Sequence, residues 1–93
     1  MNDEQNRRAL ALQAIKSFAE SEHIYTAYLA QNLQHQGRAI HEYLLMLALV
    51  YLTEARCYME LGEYEIALER LKEGCARLQN FTKLYIEMLF TSN

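Results

Sequence analysis

The chain has 93 residues, a formal net charge of −3 and 52% hydrophobic residues, with seven tyrosines, no tryptophan, no proline and three glycines. A chain of this size forms one domain, here 1–93, and buries only about 60–65% of the surface that its unfolded form exposes. Few turn formers beside abundant Ala, Leu, Glu and Gln argue against a strand-rich fold and for all-α structure. The absence of any Lys/Arg cluster larger than Arg7-Arg8 argues against nucleic-acid binding.

The first ten residues, MNDEQNRRAL, are hydrophilic and lack the apolar core of a signal peptide. Arg8 to about Gln36 contains no Gly or Pro and reads as helical, with apolar residues at Leu12, Ile15, Ala19, Ile24, Ala27, Tyr28 and Leu33. The phase slips near Glu20–His23, and Ser21 could cap a new helix there. One bent helix and two shorter ones both fit. Gly37 then ends the segment, since glycine tolerates the positive φ of a helix C-terminus.

Arg38 to Leu61 is the second segment, a rod of roughly 36 Å if wholly helical. Tyr43 to Leu52, YLLMLALVYL, has no charged side chain and is apolar on every side. A helix of that kind is normally buried all round. The segment must therefore be central in its fold or be covered by another protein. It is far shorter than the roughly 20 residues that cross a bilayer, so no membrane insertion is expected.

Gly62 marks the next turn. Glu63 to about Gln79 is amphipathic, with Tyr64, Ala67, Leu68, Leu71, Cys75 and Leu78 sharing one face. Asn80-Phe81-Thr82 breaks that pattern, and Thr82 is a plausible N-cap for a short last helix from Lys83 to about Phe90. The tripeptide is also a glycosylation sequon, which matters only in a secreted protein. Cys57 and Cys75 form no Cys-x-x-Cys motif and are expected as buried free thiols, which suits a reducing cytoplasm.

The segment from Ala48 to Arg77 (48–77) resembles one tetratricopeptide repeat (TPR). Tyr51, Ala55 and Tyr58 fall at the aromatic, small and bulky positions of its first helix. Gly62 sits at its turn, with Tyr64 just beyond. Ala67, Leu71 and Gly74 match the small, bulky and small positions of its second helix. Glu54 departs from the pattern, where Leu is usual, and Asn80-Phe81 stands where Pro usually closes the repeat. Ala30, Leu33 and Gly37 match a degenerate preceding unit. Gly37 and Gly62 are 25 residues apart rather than a full repeat of about 34, which suggests one helix running straight into the next. The resemblance implies an all-α fold of antiparallel helical hairpins, TPR-like, with three to four helices and a long central helix.

The chain is also similar in size, acidity and apolar surplus to the TPR-like co-chaperones of bacterial type III secretion systems. That resemblance implies a cytoplasmic chaperone that holds the needle subunit unpolymerised, often together with a second small helical chaperone. Carried over residue by residue, the partner-binding positions are Leu49, Leu52, Arg56, Met59 and Glu60, a stripe for an amphipathic client helix. Tyr85, Met88 and Leu89 form a second candidate face. The plainer reading packs the stripe on the chain's own N-terminal helix, and a self-associating homodimer is the alternative function.

Enzymatic chemistry finds little support. His41-Glu42-Tyr43-Leu44-Leu45 starts like a zinc-binding His-Glu-x-x-His but ends in Leu45. His23, His35 and His41 have no ligand spacing with one another or with the cysteines, and no phosphate-cradling loop or nucleophile motif is present. Neither cofactor nor metal is expected.

Overall fold

The structure, a computed structural model, describes residues 3–33 and 38–91. It contains three helices, α1 (Asp3–Asn32), α2 (Arg38–Glu60) and α3 (Tyr64–Thr91), and no strand among the described residues. The expected stop at Gly37, and His35, lie outside those residues. α2 packs against both α1 and α3. Its neighbours run antiparallel to it: Arg8 near the start of α1 reaches the end of α2, and Tyr28 near the end of α1 stacks on Tyr43 near its start. At 23 residues α2 is the shortest helix, against 30 for α1 and 28 for α3. The central helix thus spans nearly all of the expected 38–61 segment, but it is not the longest of the three.

The molecule is a rod. Its extents are 62 × 21 × 15 Å and its radius of gyration is 15.8 Å, where a compact domain of this length has about 12 Å. An elongated body of so few residues leaves much of each helix uncovered.

Each helix buries a seam whose members alternate four and three residues apart, the spacing of helices packed side by side in bundles. In α1 it runs Ala11, Ile15, Phe18, Glu22, Tyr25, Leu29. In α2 and the turn it runs Ile40, Leu44, Leu47, Tyr51, Glu54, Tyr58, Leu61. In α3 it runs Ala67, Leu71, Gly74, Leu78, Phe81, Tyr85, Met88. Every member is buried or half-buried.

These seams account for the single helix found where the sequence left one or two open, and for one departure from the expected boundaries. α1 passes unbroken through Glu20–His23, because Glu22 turns inward there as an ion-pair partner and Ser21 caps nothing. α3 passes unbroken through Asn80-Phe81-Thr82, because Phe81 is the next seam residue and is 9% exposed. The inward face of α3 is also rotated from the expected amphipathic face: Tyr64, Leu68 and Cys75 are exposed.

Two glycines shape the α2–α3 hairpin. Gly62 has φ +76 and open space where a Cβ would stand. Its N–H bonds to Met59 O at 3.0 Å, and Glu63 N–H bonds to Tyr58 O at 2.9 Å, the paired bonds of a Schellman helix stop. Arg8 Nη1 donates to Leu61 O at 3.3 Å and places a cation at the same helix end. Gly74 serves differently, since a Cβ there would lie 2.5 Å from Cγ of Tyr51. Only a residue without a side chain lets α3 lie this close to the Tyr51 ring.

The largest core cluster, Leu29, Leu33, Ile40, Leu47, Tyr51, Phe81 and Tyr85, fills one end of the rod. Tyr28 stacks on Tyr43 at 3.8 Å between ring centres, and Tyr25 meets Tyr43 edge-on at 5.6 Å. At the other end the buried positions are mostly small, with Ala11, Ala55 and Ala67.

Candidate functional site

α2 carries a second seam on its opposite side. Leu45, Leu49, Leu52, Arg56 and Met59 again alternate four and three residues apart, and all are exposed. Leu45 is 63% exposed, Leu49 49%, Leu52 59% and Met59 50%. A helix that faces water on one side normally presents polar residues there. This one presents leucine and methionine over about 21 Å of its length. The outer seam borders an apolar groove of about 640 Å³ between α1 and α2, walled by Leu10 and Phe18 on one side and Cys57 on the other, with Arg7, Arg56 and Glu60 at its rim.

A buried polar layer holds α2 in this orientation. Glu54, 2% exposed, accepts a hydrogen bond from Arg70 Nε at 2.7 Å. The same guanidinium reaches Glu22 of α1 at 2.5 Å through Nη2 and Glu73 at 2.7 Å through Nη1. Arg77 Nη1 donates to Glu22 at 2.6 Å and to the Tyr51 hydroxyl at 3.0 Å, and that hydroxyl donates to Glu22 at 3.0 Å. Both arginines of α3 thus bridge α1 and α2, and Arg70 binds the more deeply buried carboxylate. The pKa of Arg70 is raised, chiefly by the hydrogen bond to Glu54. Burial, reinforced by the Glu22 carboxylate, pushes the Tyr51 phenol up to about 12. The second Glu54 oxygen is buried with no hydrogen-bond partner among the described residues. A lone buried charge is very costly, so Glu54 depends on Arg70. The layer fixes which side of α2 faces inward and so leaves the leucine seam outward.

The expected partner-binding residues separate into two groups. Leu49, Leu52, Arg56, Met59 and Glu60 all lie exposed on α2, and α1 does not cover the stripe. The C-terminal face divides. Leu89 is 40% exposed and Met88 is half-buried against the core, whereas Tyr85 is 8% exposed and meets His41, Nε2···Oη 3.1 Å. Tyr85 is therefore a core residue, turned inward by the seam that continues through Phe81.

Both cysteines are free, but neither is buried: Cys57 is half-buried and Cys75 exposed. Burial, with Glu54 and Glu60 nearby, pushes the Cys57 thiol up. No group of three or more His, Cys, Asp or Glu among the described residues is placed to hold a metal ion. No helix among them is long and apolar enough to cross a membrane.

Leu45 and the polar layer escaped the sequence reading. Leu45 lies in an apolar run where inner and outer seams cannot be told apart without knowing the rotation of the helix. Glu54 was visible as a charge among apolar neighbours, but its partners Glu22, Arg70 and Arg77 are distant in the chain.

No family model, no curated protein and no solved structure matches this chain. Among the described residues the chain is all-α, three helices of which α2 carries an exposed apolar face.

Proposed function

We propose that this chain is a small protein-binding chaperone or adaptor, whose α2 outer face takes up an apolar helix of a client and keeps it from assembling with itself. The observation that carries the reading is the exposed seam Leu45, Leu49, Leu52, Met59. Its spacing is that of a bundle helix, and a client helix laid along it completes a fourth member. Such binding needs neither cofactor nor bond chemistry, and the protein is not an enzyme on this reading.

The TPR-like reading of the α2–α3 hairpin belongs to the same proposal. It is supported by the stop at Gly62, the close approach of Gly74 to Tyr51 and the burial of Ala55 and Ala67. The similarity to type III secretion co-chaperones makes a needle subunit the first client to try, in a bacterial cytoplasm, with a second small helical chaperone on the α3 face near Leu89.

The test is a photo-reactive residue at position 52 of the full chain, with one at the exposed Lys72 as control. The expected result is a discrete adduct to a different protein from position 52 alone. An adduct to a second copy of the chain would replace this reading by self-association, and adducts of equal yield from both positions would remove it.

A further inference from the structure

The inner seam of α2 shows how this fold treats a charge among apolar seam residues. Glu54 is the only ionisable carboxylate there, and α3 sets Arg70 against it at 2.7 Å. The outer seam has the same construction with the sign reversed. Arg56 stands between Leu52 and Met59, exposed, with no salt bridge to any described residue. Across the adjoining groove Arg7 likewise makes no salt bridge to a described residue; Glu60 shares the groove's rim with the two arginines, and Asp3 and Glu4 stand beside Arg7 in the next cleft. An apolar strip with a guanidinium on each wall suits a helix with carboxylates flanking its own apolar stripe, because each arginine then finds an acceptor as the strip is covered.

Resting on the docking reading above, we infer that Arg56, with Arg7, selects an acidic amphipathic helix of another protein and fixes its register along α2. A polar residue at a single seam position sets register and partner choice in helix pairs, because any other alignment buries it unmatched.

A second copy of the chain meets that condition poorly. Closed dimers of identical chains are two-fold symmetric. With the two outer seams antiparallel and centred on Leu52, Arg56 of each copy faces the stretch 43–53 of the other, which contains no charged residue. With the seams parallel, Arg56 faces Arg56. Neither alignment brings a carboxylate to it.

The test uses the full chain and two synthetic amphipathic helical peptides with the same leucine stripe, flanked by glutamates in one and lysines in the other. Binding is read by fluorescence anisotropy at low ionic strength. The glutamate peptide is expected to bind at least about tenfold more tightly than the lysine peptide. Arg56→Gln together with Arg7→Gln removes the difference, Arg56→Glu reverses it, and Leu52→Asp abolishes binding of both. Equal affinities of the two peptides, both lost in Leu52→Asp, would overturn the charge selection and leave the docking face standing. Binding of neither peptide, or binding that Leu52→Asp does not weaken, would overturn the docking face and the selection together.

Discussion

Arg70 touches three carboxylates on three helices, and two of them, Glu22 and Glu54, are buried. Arg70→Met strands the Glu54 carboxylate in the core, and removing one partner of a buried pair costs about 3–5 kcal/mol. Chemical denaturation should show a loss of that size. The double variant Arg70→Met/Glu54→Leu should recover much of it, because no unpaired charge then remains at position 54. The same layer predicts an alkaline signature. Folding raises the Tyr51 pKa from 10.0 to about 12, so its contribution to stability is complete below pH 10 and is lost as the pH rises through the folded value. Spectrophotometric titration of the native protein should show one tyrosine ionising only towards pH 12, and Tyr51→Phe should remove that late step. Little of this layer was legible in the sequence. Glu54 stood out where a leucine was expected, but an ion pair between residues 16 and 48 positions apart has no local signature.

At the scale of the elements, composition and periodicity were enough for an all-α chain with a turn at Gly62, while the number of helices stayed at three to four. The break expected at Asn80-Phe81-Thr82 is absent, and of the two readings open at Glu20–His23 the single helix is the one found, both for one reason. Ser21, Asn80 and Thr82 are residues that favour caps and turns, but local preference yields to a seam that continues on both sides. Phe81 tests this point: read as a staple beside a break it would contribute little, whereas in the continuous seam Phe81→Ala opens a core site and should cost about 3–5 kcal/mol. Circular dichroism during denaturant unfolding would measure it. The two hairpin glycines should respond to alanine for separate reasons. Gly62→Ala forces a positive φ in open space, at about 1–2 kcal/mol. Gly74→Ala gains about 1 kcal/mol of helix propensity but drives its Cβ to 2.5 Å from the Tyr51 ring. Overpacking of this kind costs about 1–3 kcal/mol. Trimming the ring by Tyr51→Leu should therefore relieve Gly74→Ala and leave Gly62→Ala unchanged in unfolding midpoint.

At the scale of the whole molecule, a rod 62 Å long and 15 Å thick cannot enclose every apolar side chain of a chain that is half hydrophobic. Which ones remain outside is not random. Leu45, Leu49, Leu52 and Met59 keep the seam spacing, so their exposure forms one continuous strip that another helix can cover. Leu49, Leu52 and Met59 were expected on a binding face only from a resemblance to a repeat helix, Leu45 was not expected there, and the orientation set by Glu54 and Arg70 leaves all four outward. Leu52→Asp and Met59→Asp are the discriminating changes. Both positions are at least half exposed, so each substitution should alter stability by no more than about 0.5 kcal/mol. The same substitution at Leu47, which is 0% exposed, buries an unpaired charge and should unfold the chain. If the outer seam takes up a client helix, the two aspartates abolish client binding while the melting temperature holds, since the carboxylate must be desolvated on docking. A melting temperature that falls with binding would instead place Leu52 and Met59 in the protein's own core, and binding that survives both substitutions would move the client to another face.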